Sequence, residues 1–97
     1  MLDELIRQAI AERRVVAFRY RGHRRIGEPH LYGLANGKPH LLVYFTGGTT
    51  MAGSYPTWRR CDLDFVARLT VTTRSFQGVR VNRANQPDWD EIWSIVE

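Results

Sequence analysis

The spacing of apolar residues changes several times along the chain, and each change marks an element. Leu2, Leu5, Ile6, Ala9 and Ile10 recur at helical spacing, with Asp3, Glu4, Arg7, Gln8 and Glu12 on the other side, which predicts an amphipathic helix of about three turns. From residue 15 to 21 the period falls to two. Val16, Phe18 and Tyr20 alternate with Ala17, Arg19 and Arg21, as expected of a half-buried strand, and Gly22 supplies the turn that follows. Two β-type runs, 26–34 and 40–45, flank Asn36-Gly37, a dipeptide that strongly favours a hairpin turn. Pro29 cannot donate to a strand ladder, so the first of these runs is expected to have an edge or a bulge there, and Gly27 and Gly33 suit bends.

The run His40-Leu41-Leu42-Val43-Tyr44-Phe45 is apolar on both faces and must be covered twice, once by the first helix. Residues 46–57, rich in glycine and small polar side chains, read as a long loop. Residues 58–63 form a strand with Arg59, Cys61 and Leu63 on one side, and 67–73 form the last strand. Residues 76–86 are irregular and basic. Trp89, Ile92, Trp93 and Val96 then form a stripe at helical spacing after Pro87 and Asp88, predicting a final helix over 88–96. Five short strands with a helix at each end describe a mainly β, α+β domain, a small curled five-stranded barrel.

Ninety-seven residues suffice for a single domain, 1–97. No apolar run approaches the length of a membrane span, and the charged start lacks a signal-peptide core, so a soluble cytoplasmic protein is expected. Cys61 is the only cysteine, which excludes an internal disulfide and fits a reducing compartment.

Charge is distributed unevenly. The first twelve residues carry −2 and the last fourteen −4, leaving +10 on the middle, where Lys38 is the only lysine and all other cations are arginines. Guanidinium groups pair bidentately with phosphate and carboxylate and stack on flat rings, so an anionic or nucleotide-like partner is implied. The alternative for any one arginine is a solvated surface position.

Taken in order, these residues resemble the WYL-domain family. The resemblance runs from Ala9-Ile10 through Phe18 and Tyr20, Pro29, His40-Leu41-Leu42 at the position of the family's Trp-Tyr-Leu, and the strand from Arg59 to Leu69. It covers about three quarters of the chain. Arg25, Glu28-Pro29-His30, Trp58-Arg59, Phe76 and Arg80 are similar to stand-alone members of about this length. The resemblance implies an SH3-like or Sm-like barrel acting as a ligand-sensing module, which in larger regulators binds nucleotides or nucleic-acid fragments. The chain departs from the pattern at His40-Leu41 and at Cys61 and Phe65, where the family has other residues, and it holds no helix-turn-helix.

The candidate ligand residues are Arg19, Arg24 and Arg25 near the first turn and Arg59 and Arg60 on the fourth strand, with Tyr20, Tyr44 and Trp58 as stacking surfaces and His30 and His40 as polar neighbours. Tyr20 and Tyr44 equally fit core positions with hydroxyls at the rim. His23, His30 and His40 stand at spacings that match no familiar metal pattern, so no metal or other cofactor is expected. Cys61 alternates with Leu63 as a buried small residue would, and carboxylates are scarce in the basic middle, so no enzyme is expected; a hydrolase-type site around His30 or Cys61 is the enzymatic alternative. The leading expectation is binding of a nucleotide or short nucleic acid by arginines converging on one face beside Gly47-Gly48. The other is a protein-interaction or self-assembly module, with an apolar patch involving Trp89, Trp93 or residues 41–45.

Overall fold

The computed structural model describes residues 2–48, 57–80 and 89–97. The predicted loop is outside these residues over 49–56, as are Arg83 and the expected helix start at Pro87 and Asp88. The elements run α1 (Leu2–Glu12), β1 (Arg14–Tyr20), β2 (His23–Ala35), β3 (Lys38–Gly48), β4 (Thr57–Asp62), a 3-10 turn (Leu63–Phe65), β5 (Val66–Ser75) and β6 (Glu91–Ile95). All strand pairings are antiparallel.

The expected N-terminal helix and five strands form close to where their periods place them, although Leu63, expected in the fourth strand, opens the 3-10 turn, and the expected C-terminal helix does not form. Residues 91–95 are a strand, not part of a helix. The reason lies in β2, whose thirteen residues outrun the seven of β1. Residues 23–27 of β2 pair with β1, and the stretch from Leu31 to Leu34 takes β6 on the same edge. An unpaired run of backbone donors and acceptors there outweighs the helical spacing of Ile92, Trp93 and Val96. Asp90, expected in the helix's first turn, instead accepts a hydrogen bond from the Gly37 N–H at 3.1 Å and donates its own N–H to the Leu34 carbonyl at 2.7 Å.

The six strands form one sheet in the order β4-β3-β2-β1-β5, with β6 beside β2. Asn36 (φ 54°) and Gly37 (φ 76°) form the tight turn between Ala35 and Lys38, and Arg21 (φ 53°) and Gly22 (φ 84°) do the same between Tyr20 and His23. The register slips between Pro29 and Leu31, so the irregularity anticipated at Pro29 is a bulge carrying His30. Thr46 to Gly48, expected in the loop, extend β3, with Gly47 opposite Ile26 and Gly48 opposite Arg25.

The core lies between the inner sheet face and α1. Ile6, Ala9 and Ile10 of the helix meet Val16, Phe18, Tyr20, Tyr32, Leu41, Val43, Phe45, Cys61, Leu69 and Val96. Asp3 fastens the helix to the sheet: its carboxylate accepts from the Tyr32 hydroxyl at 2.7 Å and from Arg7 at 3.0 Å, and Arg7 reaches the Trp93 carbonyl at 3.2 Å. The Tyr32 hydrogen bond, with Arg7 beside it, holds the Asp3 carboxyl below the usual range. Leu41, Leu42, Val43 and Phe45 are all buried, so the central strand is covered on both faces as its composition requires. α1 covers the inner face. Residues 76–80 follow β5 as a strap that meets β2, Phe76 and Gly78 at His30 and Arg80 at Glu28.

Candidate functional site

Side-chain alternation along β2 puts Arg24, Ile26 and Glu28 on the outer face and Arg25 and Gly27 on the inner. Two cross-strand rows follow from the register. Glu28, Tyr44 and Trp58 stand directly opposite one another on β2, β3 and β4, while Arg24, Arg19 and Ala67 do so on β2, β1 and β5. The rows are four residues apart on β2, roughly 13 Å along an extended strand. They make two chemically different ends of one face.

At the first end, Glu28, Tyr44 and Trp58 with Phe76, Gly78 and Arg80 line a cavity of about 600 Å³. Glu28 is only 6% exposed. Its two oxygens accept from Arg80 Nε at 2.6 Å and from an Arg80 terminal nitrogen at 2.9 Å, a bidentate pair that raises the guanidinium pKa still further. The same guanidinium lies 4.2 Å from the centre of the Tyr44 ring. Tyr44 meets Trp58 edge-on at 5.0 Å, and Trp58 meets His30 at 4.9 Å.

His30 is fully buried, with Phe76 at 5.2 Å. Its Nδ1 lies 2.9 Å from the Glu28 carbonyl and its Nε2 3.3 Å from the Gly78 carbonyl. Both ring nitrogens thus face backbone carbonyl oxygens, one on β2 and one on the strap. The strap is held by backbone as well: Phe76 donates its N–H to the Arg13 carbonyl at 2.9 Å, and Gly78, at φ 125°, packs closely against the Glu97 carbonyl oxygen, which a Cβ would approach to 3.0 Å.

At the other end, Arg19, Arg24 and Arg68 surround a shallow depression of about 230 Å³ with Ala17, Phe18 and Thr70. All three arginines are exposed. Among the described residues, Arg19 and Arg68 enter no ion pair, and Arg19 donates only to the Gly22 carbonyl at 3.4 Å. Arg68 has φ 57°, a left-handed conformation uncommon for a residue with a Cβ.

The structure thus brings His30, Tyr44 and Trp58 together at one end and Arg19 and Arg24 at the other. The remaining candidates lie elsewhere. Tyr20 is a core residue whose hydroxyl accepts the Asp62 N–H at 3.2 Å. Arg25 turns inward, 5.7 Å from the Phe45 ring centre, and Arg59 is on the side of β4 opposite Trp58. Arg60 is half-buried over Trp89 at 5.8 Å. His40 sits by the hairpin with Nδ1 2.9 Å from the Lys38 carbonyl. Gly47 and Gly48 border Ile26 and Arg25, not the depression.

Cys61 is fully buried, and burial pushes its thiol up to about 12 against the nearby charges of Arg59 and Arg25. It is a protonated core side chain at neutral pH, far from the thiolate a nucleophile needs. No group of three metal-ligating side chains occurs among the described residues, and no helix among them is long and apolar enough to cross a membrane.

Glu28, Arg80, Phe76 and Arg68 are site residues that the candidate set did not contain. Glu28 carried a usable signal: it is the only carboxylate between Arg13 and Cys61, and it falls inside the β-type run 26–34. A lone buried carboxylate demands a counter-ion. Comparison of the chain with protein-family models, curated proteins and solved structures finds no match.

Proposed function

We propose that this domain is a binding module of the WYL type that takes an anionic ligand of the nucleotide class, a nucleotide or short single-stranded nucleic acid, at the Arg19, Arg24 and Arg68 corner of its outer face. One observation carries this reading. Arg19 and Arg24 are direct cross-strand partners and Arg68 joins them around one depression. Arg19 and Arg68 enter no ion pair among the described residues, and an anion seated in the depression would pair with both.

We read the sheet as an SH3-like barrel of five strands with β6 added to its edge. The 3-10 turn that carries β4 into β5 is stitched to the β1–β2 corner by Arg21 N–H to the Phe65 carbonyl at 3.1 Å and by Asp62 N–H to the Tyr20 hydroxyl.

The test is fluorescence anisotropy with a labelled single-stranded oligonucleotide at several salt concentrations. Binding should weaken steeply with salt, and Arg19→Ala and Arg68→Ala should each cost roughly 3- to 10-fold and lower the salt slope by about one. Arg74→Ala, at the far end of β5, should leave affinity unchanged. No binding, or binding indifferent to Arg19 and Arg68, would sink the proposal.

A self-assembly reading has one observation in its favour. Ile92 and Ile95 on β6 are 51% and 38% exposed. Light scattering of the purified domain decides it, with a concentration-independent monomer mass counting against assembly.

A further inference from the structure

The Glu28 end of the outer face has electrostatics opposite to the arginine corner. Glu28 is the one buried carboxylate among the described residues, and Tyr44, Trp58 and Phe76 stand around it. Aromatic faces carry negative quadrupole density, so rings gathered about a carboxylate attract a cation and reject an anion. The cavity already displays its preference. The Arg80 guanidinium forks onto both Glu28 oxygens at 2.6 and 2.9 Å while lying 4.2 Å over Tyr44. An ammonium, a point charge, would satisfy neither the fork nor the stacking geometry as well. Arg80 caps the cavity without filling it. Its side chain is 44% exposed, it is tethered to the strap at residues 76–80, and about 600 Å³ remains, far more than one guanidinium occupies.

We infer that this cavity recognises the guanidinium of an arginine side chain presented by a second polypeptide, with Arg80 as an internal occupant that the incoming arginine displaces from Glu28. The space beyond the guanidinium admits the incoming side chain and its neighbours. The surrounding surface selects the sequence context. Arg60 lies on the next outer position of β4 after Trp58, so residues flanking the incoming arginine are neutral or acidic. This site is separate from the anion corner and does not depend on it.

The experiment uses the whole chain, with the indole N–H resonance of Trp58, assigned through Trp58→Phe, as reporter. The first probe is N-acetyl-arginine methylamide, titrated into wild type and Arg80→Ala. Saturable binding should tighten about ten-fold or more in Arg80→Ala, where the internal competitor is gone. The uncharged isostere N-acetyl-citrulline methylamide should not bind, and Glu28→Gln in the Arg80→Ala background should abolish binding. Absence of a saturable shift in Arg80→Ala, or equal binding of the citrulline compound, overturns the inference. If Arg80→Ala is poorly folded, its melting temperature is measured with millimolar methylguanidinium against sodium chloride of equal ionic strength; a rise specific to methylguanidinium supports the site and its lack refutes it. The second probe is the peptide Gly-Glu-Arg-Glu-Gly against Gly-Lys-Arg-Lys-Gly on wild type. The acidic peptide should bind about ten-fold more tightly; equal affinity, or none for either, refutes recognition of a polypeptide arginine. Loss of oligonucleotide binding in Arg19→Ala bears on the corner alone, so the two proposals fail separately.

Discussion

A thiol alternating with Leu63 on a strand is expected to be a core filler, and the surroundings of Cys61 show what that entails for pH. Its folded pKa, about 12, is above the ordinary value of 9.0, and Tyr32, buried and bonded to Asp3, is likewise raised from 10.0 to about 12. Groups raised in the folded state contribute stability that is fully present below their unfolded pKa and is lost as pH rises toward the folded one. Urea unfolding should therefore show stability flat to about pH 9 and falling by about 1.4 kcal/mol per pH unit per proton above it, Cys61 acting first and Tyr32 from about pH 10. Cys61→Ala should remove one proton of that slope. Glycines sort by what stands beside them. A Cβ at Gly27 would lie 2.6 Å from Val43 Cγ1 and 2.7 Å from the Tyr44 carbonyl oxygen, whereas one at Gly47 meets nothing. Gly27→Ala should cost roughly 1–3 kcal/mol in chemical denaturation and Gly47→Ala almost nothing. Alternation made Cys61 legible in the sequence. The partner of Glu28 was not, because Arg80 is 52 residues away and only the fold of the strap brings it back.

At the scale of elements, local chemistry read correctly wherever it had no competitor. Asn36-Gly37 closes its hairpin, Pro29 precedes its bulge, and the N-terminal stripe of Leu2, Leu5, Ile6, Ala9 and Ile10 makes its helix. The C-terminal stripe misleads because Trp89, Ile92, Trp93 and Val96 satisfy helical spacing while the vacant edge of β2 offers backbone partners that periodicity does not encode. In the strand Trp93 packs edge-on against Tyr32 at 5.0 Å, and Val96 just beyond it enters the core, leaving Ile92 and Ile95 outside. Gly33 makes this docking feasible. A Cβ there would collide with the Glu91 carbonyl oxygen and stand 3.1 Å from Ile92 Cα. Gly33→Ala should therefore loosen β6 selectively. Hydrogen exchange at the Val96 amide, which bonds the His30 carbonyl at 2.9 Å, should accelerate far more than exchange at Leu41 on the central strand. Equal acceleration at both amides would mean that β6 is not a separable unit.

For the molecule as a whole, the excess of arginine was visible in composition, but its division was not. Guanidiniums are spread over both faces of the sheet, and one corner of the outer face gathers three of them. That corner combines two costs, the proximity of Arg19 and Arg68, neither in an ion pair among the described residues, and the left-handed backbone of Arg68 at φ 57°. Costs of this kind persist where a function uses them, so stability and binding should move in opposite directions on mutation. Arg68→Gly removes one charge and places at φ 57° the residue that tolerates it best. It should raise stability by about 1 kcal/mol while lowering oligonucleotide affinity. In wild type the melting temperature should climb with added sodium chloride as the corner is screened, and the climb should shrink in Arg68→Gly. A destabilised Arg68→Gly that binds as wild type does would reverse both signs, making Arg68 a packing residue and leaving the corner without a ligand to account for it.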